Sequence, residues 1–334
     1  GRVIDGVITE SSLATIGSFA DNVTLSGDFS DVKGTYVFRN TLLPEPTITF
    51  NNIDSSYGDA DFNLEATSNS TGTISYTIVG ENSTGTSLSG TNNEILNVGN
   101  VGSVIIRATQ EADDSFSSAT QDITLTINRR AITLTANEQE KIYGDQLALD
   151  DTVFTTLDKD GDAVLPNGEV VTNVTINSAT GVDALTTSDV ATYADEIVIS
   201  GPVAGTDGTG DGFLESNYDI TYVAGDLTVN RRAAQIIASA QEKDYGDVHN
   251  LGDIAFMVMD RDGGALPNGE TVNAVNLVSA DGINASTDAN AVLYADNISV
   301  TPTSTNDPTI AGSANFNQEN YIFSYGTGDL TVNR

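Results

Sequence analysis

Hydrophobic and polar residues alternate over short runs along most of the chain, and clusters of Gly, Asn, Asp and Ser separate these runs. Strict alternation puts successive side chains on opposite faces of a β-strand, so each run predicts a strand with one buried face. The clearest early runs are 72–79, 103–109 and 120–127. The 3.6-residue apolar spacing that predicts a helix is almost absent. The pattern predicts an all-β chain of small antiparallel β-sandwiches.

One stretch of the chain occurs more than once. Residues 217–233 read NYDITYVAGDLTVNRRA, residues 320–334 read NYIFSYGTGDLTVNR, and a looser copy, DITLTINRRA, ends at residue 131. Other segments recur in pairs: 141–145 with 243–247, 158–169 with 260–270, and 191–199 with 292–300. The step from Tyr143 to Tyr245 is 102 residues. That period is too long for a solenoid unit, so each repeat is expected to hold its own core.

The repeats divide the chain into four segments. Residues 44–128, 129–230 and 231–334 are predicted to be Ig-like sandwich domains in an elongated tandem array, here called the first, second and third modules. Residues 1–43 contain strand-like runs, including 22–26 and 34–39, but match no repeat. They are either the end of a preceding domain or a segment that completes a neighbour's sheet. The start shows no leader and the last residues fall inside the Asn-Arg-Arg motif, so we expect a piece of a longer array.

Composition narrows the class of partner. The 334 residues carry 47 acidic and 13 basic side chains, a net charge of -34. This charge repels phosphate backbones and anionic lipid surfaces, so we expect no nucleic-acid partner. Divalent cations or salt would relieve the self-repulsion, or the acidity simply keeps a secreted protein soluble. No apolar run approaches the roughly 20 residues of a membrane span, and the absence of cysteine excludes disulfides.

Several motifs together resemble a known family. The Tyr-Gly-Asp element at 143–145 and 245–247, the Tyr-Ala-Asp runs at 193–195 and 294–296, and the Gly-Asp-Leu-Thr-Val endings resemble the YGX-type MBG domains. The first module resembles the bacterial Ig-like repeats often found beside them. The resemblance implies tandem arrays in large, secreted bacterial surface proteins, and it brings no catalytic residues.

An acidic loop of the second module has the spacing of a calcium ligand set. Asp158, Asp160, Asp162 and Glu169 stand at positions 1, 3, 5 and 12 of an EF-hand loop. Ala163 stands where that loop requires Gly, and no helices are predicted beside it, which argues against a true EF-hand. Two interpretations stay open: a calcium loop between strands, and a solvated hairpin in which Asp and Gly serve the turn.

Weaker calcium candidates lie elsewhere. Asp260 and Asp262 repeat the pattern in the third module, where Gly264 replaces the third carboxylate. Asp207 and Asp211 lie in an acidic, Gly-rich loop. Calcium is the only cofactor that the sequence suggests.

The ends of the modules concentrate positive charge. Arg129, Arg130, Arg231 and Arg232 occupy two equivalent joints, where they would either pair with carboxylates of both adjoining modules or remain exposed at a strand end. The Tyr-Gly-Asp element also has two interpretations. Its tyrosine either presents an aromatic ring to a ligand or packs at a sheet edge, with Gly in a positive-φ turn that Asp caps.

No constellation predicts an enzyme. His249 is the only histidine, and no nucleophile elbow, phosphate loop or zinc spacing occurs. The leading hypothesis is a structural stalk of a secreted bacterial cell-surface adhesin, projecting a tip that binds a glycan or protein. Alternatives are a subunit of a polymeric filament assembled by strand addition through residues 1–43, and a module that binds a glycan through its loops. The expected partners are neighbouring repeats or like subunits.

Overall fold

The computed structural model describes residues 6–8, 36–38, 43–206, 212–301 and 310–334. These residues form β-strands, turns and short 3-10 turns, with no α-helix among them. This confirms the all-β prediction of tandem modules with small sheets. The chain divides into two compact units, residues 1–131 with 214–219 and residues 132–213 with 220–334. The predicted boundaries at 44, 129 and 231 stay predictions.

Before residue 43, the residues that the structure describes form two short strands. These are β1 (Gly6–Ile8) and β2 (Tyr36–Phe38), which pair antiparallel with Gly6 opposite Phe38. The predicted strand at 22–26 lies outside the described residues. Both hypotheses for the role of residues 1–43 stay predictions.

The first module consists of short strands around a small core. The strands are β3 (Ile48–Thr49), β4 (Ile53–Ser56), β5 (Phe62–Asn63), β6 (Thr67–Ser68), β7 (Ile74–Val79), β8 (Ser87–Ser89), β9 (Ile95–Asn97), β10 (Gly102–Gln110) and β11 (Ala119–Asn128). One sheet has the order β4-β11-β10-β7 and another β5-β9-β8, while β3 pairs with β6. Alternate residues of β10 and β11, such as Ile106 and Leu125, are fully buried with Leu96. The period-2 pattern thus builds the core.

The second module contains a three-stranded and a four-stranded sheet. Its strands are β12 (Arg130–Ala136), β13 (Gln139–Ile142), β14 (Phe154–Asp158), β15 (Val170–Ser178), β16 (Ala191–Thr206), β17 (Tyr218–Val223) and β18 (Gly225–Asn230). The sheet orders are β14-β12-β17 and β13-β18-β16-β15. Leu134, Val174, Ile197 and Leu227 are fully buried in its core.

The third module repeats this arrangement. Its strands are β19 (Arg232–Ala238), β20 (Gln241–Asp244), β21 (Phe256–Asp260), β22 (Val272–Ala274), β23 (Leu277–Ser279), β24 (Leu293–Val300), β25 (Ala311–Gly312), β26 (Tyr321–Gly326) and β27 (Gly328–Asn333). The sheet orders are β21-β19-β26 and β20-β27-β24-β23, and β22 pairs with β25.

A bulge explains two of the recurring motifs. Asp195 and Asp296, in the Tyr-Ala-Asp runs, have φ angles of 56° and 53°, where the register of β16 and β24 shifts. Asp226 Oδ1 accepts the backbone N–H of Asp195 at 3.0 Å, and Asp329 Oδ1 accepts that of Asp296 at 2.9 Å. The Asp of each Gly-Asp-Leu ending therefore fixes the bulge on the neighbouring strand.

Most strand pairs are antiparallel, but each module also contains a parallel pair. β4 pairs parallel with β11, β13 with β18, and β20 with β27, and in the third module β19 also pairs parallel with β26. In the second and third modules the short strand follows the module's first strand, crosses to the other sheet and runs beside the module's last strand. The residues just after each short strand therefore lie level with the end of their module.

Candidate functional site

The Tyr-Gly-Asp element lies at the end of its module because of this parallel pairing. Ile142 is opposite Asn230, the last residue of β18, and the next backbone N–H, that of Tyr143, donates to the carbonyl of Asn230 at 2.9 Å. Gly144 then turns the chain at a φ of 86°, which confirms the predicted positive-φ turn. Tyr143 thus stands beside the point where the chain passes into the third module.

Residues of the third module bury Tyr143 within the second compact unit. Only 3% of Tyr143 is exposed. Its ring meets that of Tyr321 edge-on, with centroids 5.6 Å apart and planes at 76°. Both hydroxyl groups donate hydrogen bonds to the carboxyl oxygens of buried Glu270. Tyr143 therefore packs at the joint between two modules rather than at a sheet edge.

Glu270 follows a 3-10 turn that also contacts the second module. In this turn, Pro267–Gly269, Asn268 has a φ of 58° and donates to the carbonyl of Thr186 at 2.9 Å. Burial raises the pKa of Tyr143 to about 12, and the hydrogen bond to Glu270 acts in the same direction. Burial and the same acceptor also raise the pKa of Tyr321. Both tyrosines are therefore held as neutral donors.

Arg232 joins the two modules by charge. Its Nη1 donates to Asp145 Oδ1 at 2.8 Å and to the carbonyl of Tyr143 at 3.3 Å. Its Nη2 donates to Asp260 Oδ2 at 2.6 Å and to Asp262 Oδ2 at 2.9 Å. Arg232 and Asp260 are both buried, and the guanidinium holds the pKa of Asp260 below its usual range. A buried arginine thus binds carboxylates of both modules.

Asn320 closes the other side of the joint. Its side-chain oxygen accepts the backbone N–H of Val190 at 2.9 Å, and its Nδ2 donates to Asp189 Oδ1 at 2.8 Å. Asn320 is almost fully buried. We call the group Tyr143, Asp145, Arg232, Glu270, Asn320 and Tyr321 the joint cluster.

The first compact unit contains the same kinds of contact. Tyr57 meets Tyr218 edge-on at 5.5 Å and 82°. Arg130 donates to the carbonyl of Tyr57 and pairs with Asp59, both at 3.5 Å. Asn217 accepts the backbone N–H of Val101 at 3.1 Å and donates to Asn100 at 2.9 Å. The joint contacts are therefore a repeated device.

The two arginines of each Asn-Arg-Arg motif have different surroundings. Arg130 and Arg232 are buried in the contacts described above. Arg129 is exposed, and Arg231 pairs with Glu319 of its own module at 2.9 Å on the surface. The sequence predicts a joint role for all four arginines. In the structure, the second arginine of each pair makes contacts between modules.

The acidic loop has a turn-forming role in both copies. Asp158 Oδ1 accepts the backbone N–H groups of Asp160 and Asp162, at 2.8 and 3.0 Å. Asp260 Oδ1 does the same for Asp262 and Gly264, at 2.9 and 3.0 Å, while its Oδ2 binds Arg232.

The calcium prediction is not tested by this geometry. Glu169 is buried, whereas Asp160 and Asp162 are exposed. Over the ranges that the structure describes, no three His, Cys, Asp or Glu side chains are grouped as metal ligands. Asp207 and Asp211 lie outside the described residues. Calcium binding stays a prediction from the sequence.

The sequence did not predict the roles of three buried residues of the repeats, Lys141, Lys243 and Glu270. Lys141 donates to the backbone carbonyls of Val182, Asp183 and Leu185, the last at 2.6 Å. Lys243 binds the equivalent loop of the third module. Glu270 accepts hydrogen bonds from both joint tyrosines. The available signal was recurrence, since Lys precedes both Tyr-Gly-Asp elements and Glu follows both Pro-Asn-Gly turns.

The described fold defines a protein of tandem, all-β modules with small sheets. No family model matches the chain. No curated protein matches it. Among the described residues, no helix is both long and apolar enough to cross a membrane.

Solved structures show distant similarity. Drosophila N-cadherin EC1-4 covers 91% of this chain and 81% of its own length, with 10% identity and a TM-score of 0.24. An I-band fragment from titin covers 86% of this chain and 99% of its own length, with 10% identity and a TM-score of 0.25. Surface layer protein SbsC, domains 4-9, covers 89% and 51%, with 12% identity and a TM-score of 0.19. Because these identities and TM-scores are low, the function proposed below is argued from the strands and contacts of this chain.

Proposed function

We propose that the chain is a stalk segment of a secreted bacterial surface adhesin, whose modules hold a binding part away from the cell. The observation that carries this proposal is the buried joint cluster between the second and third modules. A spacer needs joints that resist bending, and this one combines a buried arginine, a shared carboxyl group and an edge-on tyrosine pair. The resemblance to MBG domains and the acidic surface support an extracellular location.

The covalent link at this joint is also short. Strand β18 ends at Asn230 and β19 begins at Arg232, so a single residue separates them. Opening the joint would separate Arg232 from Asp145, Glu270 from Tyr143 and Asn320 from Asp189. Each buried polar group left without its partner costs about 1–3 kcal/mol. A cost of about 3 kcal/mol lowers the population of the bent state roughly 100-fold. The joint is therefore expected to stay closed at rest.

Spin-label distances test the stiffness of this joint. The chain has no cysteine, so cysteines can be placed at Thr155 and Met257, exposed and equivalent positions on β14 and β21. We expect a narrow distance distribution between the two labels. Arg232→Gln should broaden it, whereas the matched variant Arg231→Gln should leave it unchanged. A broad distribution in the parent chain would contradict the stalk proposal.

The filament and glycan-binding hypotheses stay predictions from the sequence. The proposed function requires no catalytic residue. Its mechanism is mechanical, because the modules transmit force through folded β-sheets and buried joints.

A further inference from the structure

The third module carries a Tyr-Gly-Asp element whose turn has the same geometry as the buried ones. The backbone N–H of Tyr245 donates to the carbonyl of Asn333 at 2.9 Å, as that of Tyr143 does to Asn230. Gly246 has a φ of 91°, close to the 86° of Gly144. The side chain differs, because Tyr245 is 58% exposed, whereas Tyr143 is 3% exposed and Tyr57, in the Tyr-Gly-Asp run at 57–59, is 6% exposed.

The loop beside Tyr245 is also built as it is beside Tyr143. Lys243 donates to the backbone carbonyls of Ile283 and Ser286, as Lys141 does to those of Val182 and Leu185. This loop leads to Asn290 and Ala291, which correspond in sequence to the Asp189 and Val190 that bind Asn320. The surface is therefore held in place by its own module.

We propose that the surface formed by Tyr245, Asp247 and Asn290 is a docking face for a module of the same kind as the third. We call it the Tyr245 face. The joint cluster defines the chemistry of the occupant. Its arginine would bind Asp247 and the Tyr245 carbonyl, and its glutamate would accept the Tyr245 hydroxyl. Its tyrosine would meet the Tyr245 ring edge-on, and its asparagine would bind the loop. The inference rests on the joint geometry and does not require the stalk function.

A second copy of this chain does not fit as the occupant. Its own sets of complementary residues are already buried in joints: Arg130, Asn217 and Tyr218 in the first unit, and Arg232, Asn320 and Tyr321 in the second. A module joined directly to Arg334 has a free set and a high effective concentration. The face is thus specific for a contiguous module.

The test extends the full chain by a copy of residues 232–334, joined directly after Arg334 so that the Asn-Arg-Arg motif is restored. The copied module carries Tyr245→Phe, so that only the original Tyr245 reports. Nitration of Tyr245 by tetranitromethane is followed by mass spectrometry, with Tyr222 as an exposed reference. We expect the nitration rate of Tyr245 to fall at least tenfold in the extended chain, towards that of Tyr143. An unchanged rate would overturn the proposal.

A control variant separates docking from mere proximity. Arg232→Gln together with Glu270→Gln in the copied module should restore the nitration of Tyr245. Persistent protection would overturn the assignment of these groups.

The urea midpoint of unfolding gives a second readout. It does not require the Arg232→Gln and Glu270→Gln variant to fold. Tyr245→Ala should leave the urea midpoint of the 334-residue chain unchanged, since the side chain is exposed there. The same substitution should lower the midpoint for the module pair in the extended chain. Equal effects in both chains would overturn the proposal. If the 334-residue chain forms oligomers that disappear with Tyr245→Ala, the occupant of the face is a second copy of the chain, and the proposal of a contiguous module is wrong.

Discussion

Arg232 binds Asp145, a residue 87 positions earlier in the chain, at 2.8 Å, and the same guanidinium binds Asp260 at 2.6 Å. The first contact crosses between modules and the second stays within one. Because Arg232 and Asp260 are both buried, bulk water cannot replace either partner of that pair, whereas Asp145 is partly exposed.

Arg232→Gln should therefore destabilise the second compact unit by about 3–5 kcal/mol, since it leaves Asp260 buried without its partner. Arg231→Gln changes the adjacent residue, whose pair with Glu319 is on the surface, and should cost less than about 1 kcal/mol. Urea denaturation of both variants measures the difference. Equal losses would show that burial of the pair does not govern stability here.

Glu270→Ala should also destabilise the joint. It removes the acceptor of two buried tyrosine hydroxyls, each of which costs about 1–3 kcal/mol when unsatisfied. Glu270→Gln retains one acceptor oxygen and should cost less. The exposed Glu138→Gln is the matched control, with no change expected in the denaturation midpoint. A harmless Glu270→Ala would contradict the shared-carboxyl geometry.

The joint should loosen at alkaline pH. The pKa of Tyr143 is raised to about 12, above the value of roughly 10 in an unfolded chain. Folding favours the neutral hydroxyl, so this stability is fully present below about pH 10 and is lost as the pH rises through about 12. Denaturation midpoints between pH 8 and 11.5 should fall more steeply for the parent chain than for Tyr143→Phe. The exposed Tyr222→Phe should keep the parent slope.

Lys141→Met should destabilise the second module although it introduces an apolar side chain of similar length. The ammonium group binds several backbone carbonyls of one loop, and each carbonyl left buried without a donor costs about 1–3 kcal/mol. Lys159→Met, at an exposed lysine, should stay within about 1 kcal/mol of the parent. Hydrogen exchange of the amides in residues 182–185 should rise only in Lys141→Met.

The calcium prediction has a direct test. If the Asp158 loop binds calcium, the Tm of the chain should rise on adding CaCl2 and fall back with EDTA, and Asp160→Asn should reduce that rise. The matched control is Asp219→Asn, at an exposed aspartate outside the loop, which should leave the rise unchanged. A Tm that ignores both calcium and EDTA would remove this site.

The strands could be predicted because alternation is a local signal. The closing runs at 217–233 and 320–334 become β17 with β18 and β26 with β27, each pair ending at the Asn before the arginine. The recurring Asn-Arg-Arg motif also placed positive charge at the joints. These features depend only on neighbouring residues and on repetition within the chain.

The joint cluster could not be predicted in this way. Alternation says which face of a strand is buried, but not which strand lies beside it or in which direction, so the parallel pairing of β13 with β18 was missed. Glu270 had the appearance of one acid in a surface loop. Its partners Tyr143 and Tyr321 lie 127 and 51 residues away. Contacts between modules leave no periodic trace in either module.

Each full joint has a direction, because the Tyr-Gly-Asp element belongs to one module and the Arg, Glu and Asn-Tyr groups to the next. Such a head-to-tail contact does not close on itself. A duplication or deletion of one whole repeat in the gene would therefore keep a Tyr-Gly-Asp element opposite an arginine and an Asn-Tyr pair at each joint, and the length of the protein could evolve in steps of one module without a new kind of interface having to arise.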